Sequence, residues 1–397
     1  MTADPKLRIA LFSGNYNYMR EGANQALNHL VGYLERGGHQ VRVYSPVTGT
    51  PAFEPAGTLV PVPSVTAPFR KEFQIALGMP AATRRDLEAF APQLIHVSTP
   101  DLLDLRAQTF AKRHRIPVVA SLHTRFETYL DYYGLGWLRP VLVAHLNRFY
   151  RRAAYVLAPT PALIEHVKRI RGDDRVGLFS RGVDRSLFNP SRRDPEWRRR
   201  HGWADDDTVV LFFGRPVIEK GLDIYIEAVQ LLKRSNGSVR ALIVGAGPNA
   251  DRLRAIDGAV LTGHLTGTDL ARAVASADIM INPSITEAFG NVVLEAMASG
   301  LAVVCADADY SRAIVDPGRT GILEPARNAR AYAEAALRLI DHPDERARIG
   351  ATAREATATF TWDAASAAVE AAYLKTVADY ARRADGSMRS STRSFST

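Results

Sequence analysis

The chain has 397 residues, 46% of them hydrophobic and 23% charged, which is enough apolar content for two ordinary cores and excludes a largely disordered chain. Its 50 Lys and Arg against 42 Asp and Glu leave a net charge of +8, which permits contact with phosphates or anionic lipid without indicating nucleic-acid binding. Cys305 is the single cysteine, so an intrachain disulfide is excluded and a reducing, cytosolic setting is expected.

In chain order, MTADPKLRIALFSG passes from a short polar lead into a buried strand at 7–13, without the pattern of a secretory leader. A helix near 24–36 ends at Gly37-Gly38, and HQVRVYSP (39–46) reads as the next strand. LIHVST (94–99), PVVASLHT (117–124) and AYVLAPT (154–160) follow, separated by amphipathic runs near 101–115 and after 160. Strand, helix, strand at this spacing predicts a parallel sheet covered on both faces. The pattern restarts at TVVLFFGR (208–215) and continues through SVRALIVGAG (238–247), AVLTG (259–263), DIMINPS (278–284) and LAVVCA (301–306). The expected fold is therefore α/β, with two Rossmann-like doubly wound domains facing a central cleft at the carboxyl ends of both sheets. The expected domains are 1–186, then 187–360, joined in an arginine-rich stretch near 188–202. The stretch 361–381 reads as one long final helix. The tail that follows, rich in arginine and serine, reads as disordered. No run approaches ~18 uninterrupted apolar residues, so any membrane contact is expected to be peripheral.

The most informative stretch is DIMINPSITEAFGNVVLEAMASGLAVV (278–304). A strand ends near Pro283, a loop follows, and a helix runs from about Asn291 until Gly300 stops it. Glu287 lies in the loop and Glu295 in the helix. Gly290 permits close backbone approach, and exposed amides at a helix start hold anions. Eight residues of helix cover at most ~12 Å, comparable with the reach from a sugar ring across a diphosphate to a ribose. One loop and helix could thus hold sugar hydroxyls with Glu287, phosphates with the amides of Ala288, Phe289, Gly290 and Asn291, and ribose hydroxyls with Glu295. The bland alternative is two unrelated surface glutamates. The second stretch, FFGRPVIEKGLDIYIEA (212–228), places Arg215 and Lys220 in a loop after a buried strand. Two cations there suit a departing diphosphate; the alternative is a solvated Lys220 paired with Glu219.

SITEAFGNVVLEAMASG, GRPVIEKG, LIVGAGP and RGVDRSLFNP (181–190) together resemble family 4 glycosyltransferases of the GT-B type, in order and spacing, over nearly the whole chain. The resemblance implies a donor nucleotide sugar on the C-terminal domain, retention of anomeric configuration, and no metal ion or cofactor. It implies that Arg215 and Lys220 meet the donor diphosphate, Glu287 the sugar and Glu295 the ribose. It also implies that the final helix, with Trp362, crosses back to the N-terminal domain.

In the N-terminal half, SGNYNYMREG lies between the first strand and helix; Gly22, which precedes the helix, is expected near donor phosphates, and Tyr16, Tyr18 and Arg20 near the acceptor. In SLHTRFETYLDYYGLG (121–136), His123 sits at a strand's carboxyl end and Arg125 follows it. The family often has a histidine here facing the transferred sugar; a core histidine is the alternative. This stretch resembles the branch containing sulfoquinovosyl-diacylglycerol synthases and GDP-mannose-dependent α-mannosyltransferases. The resemblance makes GDP-mannose the first donor expected and UDP-sugars the next, with a lipid acceptor. PFRKEF (68–73), Arg84-Arg85 and RFYRRAAY (148–155) set arginines beside aromatics, as a surface meeting anionic headgroups would. The expected location is the inner face of the cytoplasmic membrane. A soluble-acceptor transferase and a non-catalytic nucleotide-sugar binder are the rivals.

Two weaker signals stand apart. GAGPNA (245–250) fits the dinucleotide fingerprint, but the next strand ends without the acidic residue that would hold a ribose. Asp307 and Asp309 form a D-x-D pair of the metal-binding kind, at a point where family members usually have a glycine-rich loop.

Overall fold

The computed structural model describes residues 5–18, 21–66 and 74–393, with side chains for all of these except 129 and 384–393. Two compact units emerge: Met1–Glu127 with Trp137–Arg181 and Trp362–Thr397, and Thr128–Gly136 with Gly182–Thr361.

The first unit is built on β1 (Arg8–Phe12), β2 (Gln40–Ser45), β3 (Thr58–Pro61), β4 (Ser64–Thr66), β5 (Gln74–Ala76), β6 (Leu94–Val97), β7 (Val118–Ser121), β8 (Tyr155–Ala158) and β9 (Val176–Leu178). Seven strands form one parallel sheet in the order β3-β2-β1-β6-β7-β8-β9, while β4 and β5 pair as a separate antiparallel ribbon. The chain leaves β1 toward β2 on one side and returns to β6 on the other, so the sheet's switch point lies between β1 and β6. Two helices of this unit start at side-chain caps: Asp101 accepts the amide of Asp104, and Thr160 that of Leu163. Ile9, Leu11, Leu27, Leu30, Val31 and Tyr373 share one core.

The second unit contains β10 (Thr208–Phe213), β11 (Val239–Val244), β12 (Val260–Leu261), β13 (Ile279–Asn282), β14 (Ala302–Ala306) and β15 (Ile322–Glu324), parallel in the order β12-β11-β10-β13-β14-β15. Alternation along β10 divides the core. Val209 and Leu211 pack into one cluster and Val210 and Phe212 into another, so the sheet is covered on both faces. The switch point falls between β10 and β13. Open α/β sheets bind ligands at that crevice, outside the carboxyl ends of the strands.

The final helix, Trp362–Arg393, belongs to the first unit and packs on the helix Gly22–Arg36. Glu370 accepts from Tyr33 and pairs with His39 at 2.8 Å, and Trp362 stacks on His29. This helix extends to Arg393, past the end at 381 expected from composition; the stretch holds no proline to stop it. No helix among the described residues is long and apolar enough to cross a membrane.

Candidate active site

The loops after β10 and β13 meet at the second unit's switch point. The β10 loop is forced into shape by glycines. Gly214 and Gly245, at the ends of neighbouring strands, have φ of +130° and +140°, a region open essentially to glycine. A Cβ at Gly245 would lie 2.0 Å from the carbonyl oxygen of Gly214. LIVGAGP thus braces the loop that carries Arg215 and Lys220. Lys220 pairs with Glu287 across the two loops, and both are half-buried. The Glu219 alternative is not realised: Glu219 is buried and accepts from Tyr133.

Gly290 caps the helix Asn291–Ala298 at φ +93°, with no side chain bonding the first-turn amides. A Cβ there would lie 2.7 Å from the buried ring of Tyr310. Tyr310 in turn accepts from the Asn282 amide at the end of β13. It therefore supports the loop between β13 and this helix from below, and the sequence offered no periodic signal for it. Phe289 is buried against Phe360, so its side chain is turned into the core. The loop, Lys220, Glu287 and a helix start without a side-chain cap therefore form one cluster at the switch point.

Glu295 is half-buried, with no hydrogen-bonding or charged partner among the described residues, and burial pushes its carboxyl up to about 8. The folded state therefore binds this proton more tightly than the unfolded chain, so the group's contribution to stability falls as pH rises from about 4.5 to about 8. Thermal melting of the ligand-free chain is expected to drop over that interval, and to drop less in Glu295→Gln.

In the first unit, Ser13 to Glu21 follow β1 and Ser98 to Asp101 follow β6. Gly14 donates to the Thr99 hydroxyl at 3.2 Å, and a Cβ on Gly14 would meet Asp101 at 2.5 Å. Gly22 opens the helix Gly22–Arg36 without a side-chain cap. Tyr16 and Tyr18 correct the expectation of loop tyrosines facing an acceptor. Tyr16 is fully buried and donates to Asn28 and the Ala56 carbonyl. Tyr18 donates to the Gly14 carbonyl and accepts from the Gln74 amide. Both hydroxyls brace the loop from within. Arg20 and PFRKEF (68–73) lie outside the described residues. Arg125 is paired with Glu127 at 3.1 Å. His123 is bonded at both ring nitrogens: Arg181 donates to Nδ1 at 2.8 Å, and Ser121 Oγ lies 2.7 Å from Nε2. Asp307 receives both prongs of Arg312. Among the described residues no group of three or more His, Cys, Asp or Glu could hold a metal ion.

The fold is one of two α/β units, each built on an open parallel sheet with a switch point. Residues 207–342 match the profile of "Glycosyl transferases group 1", and 20–187 that of "Glycosyltransferase Family 4". GDP-mannose-dependent alpha-mannosyltransferase of Mycobacterium tuberculosis is 32% identical over 362 residues, spanning 90% of this chain and 93% of that one. Sulfoquinovosyl transferase SQD2 of Arabidopsis thaliana is 29% identical over 370 residues, covering 90% and 72%. Sucrose-phosphate synthase of Thermosynechococcus elongatus superposes with a TM-score of 0.77 at 20% identity, covering 94% and 100%. The chain belongs to glycosyltransferase family 4, with the GT-B fold of two Rossmann-like domains, and is a glycosyltransferase.

Proposed function

We propose that this enzyme moves a hexosyl unit from a nucleotide sugar, GDP-mannose first and a UDP-sugar next, to a hydroxyl of a membrane lipid with retention of configuration. The observation that carries the donor half is the meeting of Lys220, Glu287 and the uncapped helix start at Asn291 at one switch point. In this reading the diphosphate lies on Arg215, Lys220 and the amides of Ala288 to Asn291, Glu287 holds sugar hydroxyls, and Glu295 holds the ribose. The acceptor oxygen attacks the anomeric carbon on the face from which the diphosphate leaves. The C–O bond to phosphate breaks, and the leaving phosphate oxygen takes the acceptor proton. The protein's part is charge stabilisation and positioning.

Ribose hydroxyls donating to Glu295 favour its ionised form. Nucleotide binding near pH 7 is therefore expected to release close to one proton, readable by calorimetry in buffers of different ionisation enthalpy, and Glu295→Gln should abolish the release.

The relatives' names support GDP-mannose and a lipid acceptor: alpha-mannosyltransferases dependent on GDP-mannose, and alpha-monoglucosyldiacylglycerol synthase of Acholeplasma laidlawii at 24% identity. A surface of the first unit supports the lipid as well. Trp137 is 75% exposed and Val141 69% exposed, and Ala144, Arg148 and Arg151 continue the exposed side of the helix Arg139–Arg152. An apolar tip followed by arginines suits the headgroup boundary. Trp137→Ser with Val141→Ser should reduce co-sedimentation with phosphatidylglycerol vesicles at low salt, leaving nucleotide binding intact; unchanged pelleting would remove this surface from the account. A second reading, a soluble acceptor, is favoured by D-inositol 3-phosphate glycosyltransferase of Corynebacterium glutamicum, 31% identical over 227 residues. Incubation with labelled GDP-mannose or UDP-glucose, with vesicles or with inositol phosphate, separates them by whether label enters the lipid phase.

A further inference from the structure

His123 lies within a largely buried chain of polar groups drawn from four separate segments of the first unit. Arg181, just beyond β9, donates through its guanidinium to His123 Nδ1 at 2.8 Å. His123 Nε2 meets Ser121 Oγ at 2.7 Å, and the same oxygen meets His96 Nε2 at 2.7 Å. His96 Nδ1 meets the hydroxyl of Tyr373 on the final helix. Arg181, Ser121, His96 and Tyr373 are all buried.

The proton positions at His123 follow from the donors present. A guanidinium carries hydrogens on every nitrogen and accepts nothing, so His123 Nδ1 must be the acceptor. A neutral ring then carries its hydrogen on Nε2 and donates it to Ser121 Oγ. His96 and Tyr373 can trade donor and acceptor roles beyond Ser121, but neither arrangement alters the tautomer at His123.

We infer that Arg181 is a positioning residue for His123, holding the ring as the neutral Nε2–H tautomer with both nitrogens engaged, so that His123 shapes the site and takes no proton from an acceptor. The surroundings agree. Burial, the Arg181 charge and His96 hold His123 well below the usual histidine range, and burial lowers His96 to about 3. Arg181 and His96 are the charged and titratable groups that act on the ring, from the segment after β9 and from β6; Ser121 and Tyr373 face the chain from β7 and the final helix as hydroxyls. A His123 barred from base chemistry also fits a reaction in which the departing phosphate takes the proton, and that part rests on the transferase reading.

The test is nitrogen NMR of the full chain labelled with ¹⁵N-histidine, with His123→Gln used for assignment. The expected spectrum has His123 Nδ1 bare and Nε2 protonated, unchanged from pH 5 to pH 8. Ser121→Ala should keep that tautomer, because Arg181 sets it, and Arg181→Ala should release it to a mixture that titrates within this range. In Arg181→Ala, kcat should fall roughly tenfold while affinity for GDP or UDP stays within twofold. An Nδ1–H tautomer or a titrating His123 in the unaltered chain overturns the inference, and so does an unchanged tautomer in Arg181→Ala. If Arg181→Ala does not fold, a tautomer retained in Ser121→Ala supports the inference and a switched one overturns it. The spectra need no donor or acceptor, so this inference and the transferase reading fail separately.

Discussion

Lys220→Ala is expected to lower the rate of glycosyl transfer by about 100-fold or more, the usual scale for removing one charged or hydrogen-bonding group aimed at a developing anion. In the ligand-free protein Lys220 holds Glu287, so the deletion also leaves a half-buried carboxylate unpaired beside the loop proposed for the diphosphate. The effect should therefore fall on kcat and on nucleotide affinity together. Glu287→Gln makes the opposite change. It frees Lys220 from its carboxylate, so affinity for free nucleoside diphosphate should rise several-fold while transfer falls, because the amide cannot accept the sugar's hydroxyls as a carboxylate does. Kinetics of donor consumption and titration with GDP or UDP check both. An unchanged rate in Lys220→Ala would remove that residue from the site.

Gly245→Ala is expected to damage the second unit more than any other single methyl added there. The new Cβ would sit 2.0 Å from the carbonyl oxygen of Gly214, a backbone atom that cannot swing aside. The residue would also be held at φ +140°. Strain of this kind costs roughly 1–3 kcal/mol, and overpacking adds a similar amount. For a unit of this size that corresponds to a fall in Tm of roughly 5–15 °C. The strands could relieve the overlap only by separating β10 from β11, which would shift the loop bearing Arg215 and Lys220. Nucleotide binding should weaken accordingly. Gly318→Ala is the natural control: it has φ +78° but nothing within 4 Å of the added carbon, so it should cost only about 1 kcal/mol. Thermal melting of the two variants side by side decides the matter, since similar shifts would mean that the contact with Gly214 is not the cause.

Much of this could be read from residue patterns, and the exceptions have physical reasons. The β-branched runs that became β1, β10, β11, β13 and β14 are buried on both faces and so stand out as apolar stretches. β4, β5, β9 and β15 are only three residues long and carry no period to detect. The loop holding Glu287 and Gly290 was legible because glycine, glutamate and helix start are adjacent in the chain. Tyr16 and Tyr18 misled because a polar-looking loop gave no hint that its tyrosines fold inward to meet Asn28, Ala56 and Gly14. The chain of groups from Arg181 to Tyr373 was invisible for another reason: His96 and Tyr373 are 277 residues apart, and only the packed final helix brings them together. The break at Arg181/Gly182, and the short stretch Thr128–Gly136 that joins the second unit, likewise depend on tertiary contacts that composition does not encode.

A crystal structure of the full chain with GDP or UDP tests the central claim most directly. The account predicts a diphosphate against Arg215, Lys220 and the amides of Ala288 to Asn291, with the Lys220–Glu287 pair opened and a ribose hydroxyl on Glu295. A nucleotide bound elsewhere, with that ion pair intact and the helix start at Asn291 untouched, would contradict it.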